Sequence, residues 1–346
     1  MDPNTGPELL HAALCSLLTT YWDSIDEVGY LPHLPLNSLE SENAARSNPT
    51  FPFILADGNS KLGIPLPILP QMFLSLKQIL MIPSENKHSP CQIELLSRCM
   101  LIVNPGWYPN YSIRKKMVVA GQIDLKAELR VLDIIFFLPT TTKNSSAWFH
   151  RKWISKAIYE SPECCLHPCD LVTHFNDEIQ FAFKLANRAS RNYYAWEFIY
   201  WNICQVICLQ PGNSSQTIQS QFKETLGFIK QHISDSGAYH HLSMLIRLDM
   251  AHNSYLGHPP HYLGQGLSEI HRILETYPGP RQSAVNGLSN IVLFLMTKLD
   301  KYMWVSEIVQ SEHRWAAKQL CVVDPDIDNS EFARLIQTFI INLQMK

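Results

Sequence analysis

The run Glu163-Cys164-Cys165-Leu166-His167-Pro168-Cys169 invites a zinc reading. Structural zinc takes four thiolate or imidazole ligands, commonly as two spaced pairs. Here two cysteines are adjacent, one His shares their short loop, and no matching second pair follows; the next candidate, His174, falls inside the following helix. The run reads as a hairpin insertion with reduced thiols, and no metal site is assigned to the chain. His252, His258, His261 and His271 gather around AHNSYLGHPPHYLGQG, where two prolines separate 258 from 261. That segment reads as an exposed connector between hairpins. Gly264-Gln-Gly266 lacks the third Gly and the preceding strand of a dinucleotide fingerprint. No Ser-His-Asp order, phosphate loop or paired-carboxylate motif stands out. His150-Arg151 has the residue types of an acid–base couple. Its place in a recurring unit argues instead for hydrogen bonding between neighbouring hairpins or across a subunit interface, and the interface is the expected role.

Whatever these residues do, the elements that hold them must be helical. The chain has 346 residues, a net charge of −3 and an apolar fraction of 46 %. Charged residues make up 17 %, below the roughly 25 % of ordinary soluble domains, which fits a large partner interface and equally an apolar core. No positive field is available for nucleic acid. Nine cysteines without framework spacing, and an N-terminus without a basic region followed by a long apolar one, predict free thiols in a cytoplasmic setting. The Asn-X-Ser sequons at Asn110, Asn144 and Asn213 are then chance matches. No apolar run approaches the roughly 20 residues of a membrane span. The run from Val131 to Leu138 is short, ends at Pro139, and reads as a buried helix.

Residues 1–65 read as an N-terminal helix followed by an extended segment rich in Pro and Ser, without strand alternation or an Asn-Gly hairpin signal. From about residue 66 to 346 the pattern is helical, and it repeats. NPGWYPNYSIRKKMVVAG, TKNSSAWFHRKWISKAI, ASRNYYAWEFIYWNICQ and HISDSGAYHHLSMLIRL each begin alike and enter an apolar helix, with aromatic anchors at Tyr111, Trp148, Trp196 and Tyr239. A degenerate fifth copy from Thr276 has Ala284 at the anchor. Spacings of roughly 37 to 48 residues match two-helix repeats. Second helices are expected at Asp124 to Leu138, Asp170 to Asn187 and Ser215 to His232. Each anchor ring is a stiff wedge between stacked hairpins. Asn192 and Asp235 have the side chains to cap the helices they precede.

Asn192-Tyr193-Tyr194-Ala195-Trp196 and Ala147-Trp148-Phe149-His150-Arg151-Lys152-Trp153 resemble the repeat of the protein prenyltransferase alpha subunit family. IDEVGYLP from Ile25, Lys-Leu-Gly at 61 to 63 and LETYPG from Leu274 extend the similarity, which is recognisable from about 22 to 300. The resemblance implies an all-α fold: a right-handed superhelical array of helical hairpins, a TPR-like α–α solenoid, crescent-shaped. It implies an alpha-like subunit of a heterodimeric protein geranylgeranyltransferase, inactive alone. The partner is a Rab geranylgeranyltransferase-type beta subunit that carries the zinc, geranylgeranyl diphosphate is the shared substrate, and this chain binds no cofactor of its own. The acceptors are membrane-traffic proteins with a C-terminal Cys, of SNARE or Rab type.

Two positions of the family reach the lipid diphosphate. Carried onto this sequence they are Lys143, five residues before Trp148, and Tyr193, three before Trp196. Tyr111 with Arg114, Trp148 with His150 and Arg151, Asn192 with Trp196, and Tyr239 with His240 are the implied repeat or interface positions. His240 and His241 stand where another copy carries its His-Arg pair. Several positions depart from the family pattern: Phe198 and Ile199 replace the His-Arg pair, Ser145 replaces a Tyr, and Ala284 and Gly287 replace the last Trp and Arg. The reading from another class is a helical-repeat adaptor that kept the scaffold, lost the chemistry and binds proteins along its concave face.

Overall fold

The structure, a computed structural model, describes residues 7–33, 52–81, 88–160 and 168–256, with the single helical positions 266, 269, 272 and 276. Cys164, Cys165, His167, His258, His261, His271 and the copy around Ala284 and Gly287 lie outside the described residues. The chain forms two compact units, Met1–Ile199 and Tyr200–Lys346.

The first unit begins with α1 (Pro7–Tyr21) and three short strands, β1 (Glu27–Leu31), β2 (Ile54–Ala56) and β3 (Lys61–Pro65). Six helices follow: α2 (Leu69–Met81), α3 (Pro90–Val103), α4 (Pro109–Val119), α5 (Leu125–Ile135), α6 (Ser145–Glu160) and α7 (Pro168–Arg188). Helix α8 (Tyr193–Leu209) starts in this unit and runs into the second, which also holds α9 (Ser214–Gln231) and α10 (Ser236–Leu256). The described residues are thus mostly helical, as expected, and the second helices of the hairpins fall within a few residues of their predicted bounds.

The small sheet is a departure from the expectation of no strands. Its order is β1-β3-β2, with β1 parallel to β3 and β2 antiparallel to it. Leu62 and Ile64, two residues apart, are buried, as the pleat requires. A Cβ at Gly63 would lie 2.9 Å from Leu31 Cδ1, so a larger residue there would have to displace the Leu31 side chain. Asp57, Gly58 and Asn59 all take positive φ in the β2–β3 turn, so Asp57-Gly58 was the readable hairpin signal. The strands are too short, and too broken by Gly and Pro, to show alternation. Tyr30 ties the sheet to α3 by donating to Ile102 O at 2.8 Å, and Arg130 of α5 donates to Asp23 O and Ile25 O.

Helix starts follow side-chain chemistry. Ser89 and Gln92 form a reciprocal capping box on α3, with Pro90 in the first turn. Asp124 accepts from Lys126 N and Ala127 N at the start of α5. That helix stops earlier than predicted. It ends at Ile135, and Phe136 to Leu138 enter a turn while Phe136 and Leu138 stay fully buried. Pro139 disfavours helical backbone at the residue before it. The core of the first unit takes Leu14, Leu18, Met100, Leu132, Ile154 and Phe175; that of the second takes Ile203, Phe222, Ile229, Leu242 and Leu245.

Candidate functional site

The sequence repeat is also a repeat of hydrogen bonds. Tyr111 OH donates to Pro105 O at 2.9 Å, Trp148 Nε1 to Thr142 O at 2.9 Å, and Tyr239 OH to Ile233 O at 3.1 Å. In each case the anchor ring reaches the carbonyl six residues back. A second set of bonds starts the helices. Asn144, Asn192 and Asp235, each four residues before an anchor, accept from Ala147 N, Ala195 N and Ala238 N. These are N-caps, and they offset backbone donors that have no partner in the first turn.

The two asparagines also donate. Asn144 Nδ2 reaches Pro105 O at 3.2 Å, and Asn192 Nδ2 reaches Thr142 O at 2.8 Å. The carbonyl bonded by one anchor ring is therefore bonded again by the Asn of the next copy. Thr142 precedes Lys143 and Asn192 precedes Tyr193, so the tie brings both predicted diphosphate residues to one locality. Both are exposed, Tyr193 at 59 %. Arg191, just before, has a φ of 56°, which turns the chain so that Asn192 can cap α8. In the preceding copy the matching positions are Gly106 and Ser145. There a Cβ built on Gly106 would lie 3.8 Å from Asn144 Nδ2, so the same geometry recurs without the Lys and the Tyr.

Rings surround this locality. Tyr193 and Tyr194 meet at 5.7 Å, and Tyr194 meets Phe149 of α6 at 6.4 Å. Phe149 is 58 % exposed. Lys152 Nζ and Glu197 Oε1 pair at 3.1 Å between the same two helices. An ammonium and a phenol presented to solvent from neighbouring helix starts can both donate to anionic oxygens.

Beneath lies a buried ionic network. Arg114 Nε donates to both oxygens of Glu128 at 3.0 Å, and its Nη2 reaches Glu128 Oε2 at 2.6 Å. Its Nη1 donates to Ser97 Oγ at 2.8 Å. His150 Nε2 donates to Glu128 Oε1 at 2.7 Å. Burial alone would raise the Glu128 carboxyl, but the Arg114 charge and the bonds from His150 and Arg114 outweigh it and hold the group down to about 2. Arg151 makes a fork on Glu178, with Nε and Nη2 at 2.6 Å from its two oxygens. Its Nη1 lies 2.8 Å from Asp133 Oδ1, and its guanidinium lies over the Phe181 ring at 3.7 Å.

Arg114, His150 and Arg151 are thus buried within the first unit: Arg114 and Arg151 each meet an acid on the second helix of their own hairpin, and His150 and Arg151 reach back to Glu128 and Asp133 of the preceding one. For His150 and Arg151 the expected role is a subunit interface; the bonds present are instead those of the other reading, made inside this chain by buried side chains. Tyr111, Trp148 and Trp196 are buried as well, Trp148 against Phe136 and Phe198 and Trp196 against Phe183. Glu128 and Glu178 went unnoticed in the sequence, although each is a lone acid on a helix face that is otherwise apolar. The carbonyl of Thr142 carries no sequence signal at all.

In the second unit Tyr239 is fully buried. His241, two residues after Tyr239, occupies the register of His150, while His240 matches the exposed Phe149. The predicted alignment of His240-His241 with His150-Arg151 is therefore out by one. His241 is buried, and burial followed by the charge of His240 pushes its imidazole down to about 3. His174 is also lowered, first by burial. Among the described residues no group of three His, Cys, Asp or Glu side chains is arranged to hold a metal ion, and no helix is long and apolar enough to cross a membrane.

No model of a known protein family matches the chain. No curated protein matches it either.

Proposed function

We propose that this chain is the alpha-like half of a heterodimeric protein geranylgeranyltransferase. Its hairpins form a right-handed superhelical crescent around a Rab geranylgeranyltransferase-type beta subunit, and that subunit brings the zinc and the lipid pocket. Acting in the cytoplasm, the pair modifies the C-terminal Cys of Rab-type or SNARE proteins. Lys143 and Tyr193 meet the diphosphate of geranylgeranyl diphosphate. As the carbon–oxygen bond breaks, charge grows on the leaving diphosphate, and an ammonium and a phenol aimed at it stabilise that charge.

The observation that supports this reading is the bond from Asn192 Nδ2 to Thr142 O. It joins the residues that immediately precede Lys143 and Tyr193, both of which are exposed.

The test is reconstitution with the beta subunit and measurement of geranylgeranyl transfer to an acceptor ending in Cys. The chain should co-purify with that subunit in equal amounts. Lys143→Ala and Tyr193→Phe should each lower the rate on the order of 100-fold, the scale of losing one transition-state donor. Full transfer in both variants would leave the adaptor reading, with the exposed Phe149 and Tyr193 rings as part of a protein-binding face. A chain that stays monomeric beside the beta subunit would sink the proposal.

A further inference from the structure

Helix α1 packs against α3, and at that contact two thiols meet. Cys15 Sγ lies 3.4 Å from Cys99 Sγ, although the two residues are 84 positions apart in the chain. Cys99 is fully buried, whereas Cys15 is only partly covered. The helices that carry them are fixed on both sides. Leu14 and Leu18 flank Cys15 in the core, and Met100 flanks Cys99. One residue before Cys99, the Arg98 guanidinium covers the Trp22 ring at 4.4 Å. A disulfide bond is about 2.05 Å long, so the sulfurs need to close by about 1.4 Å, a distance within reach of a side-chain rotation.

We propose that Cys15 and Cys99 are a reversible oxidation site, at which hydrogen peroxide joins α1 to α3 through a disulfide. The Cys15 thiolate attacks one peroxide oxygen; the O–O bond breaks and hydroxide leaves, giving a sulfenic acid on Cys15. Cys99 then gives its proton to that hydroxide, and its sulfur attacks the Cys15 sulfur. The S–O bond breaks and the second oxygen leaves as hydroxide, which takes back from solvent the proton that Cys15 released on becoming a thiolate and so ends as water. Two thiols lose two electrons in all, and the peroxide gains them.

The order of steps follows from access and acidity. Only Cys15 is open to a solute. Its thiol is lowered by the bond to Cys99, against the opposing effect of burial, while burial pushes Cys99 up. The thiolate is the reactive form, so Cys15 attacks and Cys99 resolves. The site is independent of Lys143, Tyr193 and any prenyl transfer. A reducing compartment keeps the pair as thiols at rest.

The experiment takes the full chain, reduced and then exposed to a few equivalents of hydrogen peroxide, and maps it by mass spectrometry without reduction. Exposed Cys91 and Cys208 serve as comparators in the same sample. The expected product is a Cys15–Cys99 cross-linked peptide that dithiothreitol reverses. The oxidised chain should also melt several degrees higher than the reduced one, since the bond closes a long loop. In Cys99→Ser the Cys15 sulfenic acid should persist and be trapped by dimedone. The proposal falls if, in the unmutated chain, Cys15 gains oxygen while Cys99 stays a free thiol. It falls equally if the linked peptides pair Cys15 with another cysteine.

Discussion

Asn192 donates through Nδ2 to the carbonyl oxygen of Thr142 at 2.8 Å, while its Oδ1 accepts from Ala195 N at 3.3 Å. One fully buried side chain therefore starts α8 and ties it to the turn before α6, and the two jobs can be separated by substitution. Asn192→Ser keeps a capping oxygen and loses the amide donor. It should cost about 1 kcal/mol, the net value of one hydrogen bond. Asn192→Asp also keeps the cap but sets a buried carboxylate against a carbonyl, and should cost about 2–3 kcal/mol more. Urea melting curves of the two variants would show the difference; equal stability of Asp and Asn would mean the tie to Thr142 does not hold.

Arg151 and Glu178 form a buried fork with both N–O distances at 2.6 Å. Arg151→Met leaves Glu178 an uncompensated buried charge, and Glu178→Leu leaves Arg151 only the half-exposed Asp133, so each alone should cost about 3–5 kcal/mol. The double variant should cost clearly less than either single, because the desolvation penalty goes with the charges. A double-mutant cycle by denaturant melting checks this. Additive losses would mean the pair is not coupled.

Glu128 gives an acid-sensitive contribution in the first unit. Its folded carboxyl, at about 2, lies below the ordinary 4.5. The stability it supplies is therefore present above pH 4.5 and is lost as the pH falls toward 2, because the unfolded chain binds the proton first. Glu128→Gln should be less stable at pH 7, since Arg114 loses its buried counter-charge and keeps only Glu94 at 3.3 Å, and should show a shallower loss between pH 4.5 and 2. If the variant's acid limb is as steep as that of the unmutated chain, Glu128 is not its source.

His241 acts in the same direction for a different reason and in a different window. Its imidazole is held neutral down to about 3 in the second unit, while an unfolded His takes up its proton near 6.5. Between those values the unfolded chain binds more protons, so stability rises with pH up to about 6.5 and is lost as pH falls below it. His241→Gln, neutral throughout, should flatten the pH dependence of melting between 6.5 and 4. An unchanged slope would show that the buried imidazole does not contribute.

Periodicity and anchor residues made much of the helical part legible. The anchors at Tyr111, Trp148, Trp196 and Tyr239 mark four helices, and the capping side chains of Asn192 and Asp235 do what their chemistry suggested. The three-stranded sheet was missed because five-residue strands interrupted by Gly29 and Gly63 leave no alternation to count. The one-residue shift at His240 and His241 was missed because a motif read by residue type alone tolerates it, whereas a helix face does not.

The sequence by itself determined the helical periodicity, the anchor spacing and the residue types at the helix starts, because these depend on neighbours within a turn or two of the chain. Only the tertiary structure decided which acid each buried arginine meets and which carbonyl each asparagine reaches. Glu128 pairs with Arg114, Glu178 with Arg151, and Thr142 O with Asn192. These partners stand 14, 27 and 50 residues apart. A backbone oxygen or a lone acid carries no mark of its partner until packing excludes water and leaves each buried polar group only the partners the fold brings within reach.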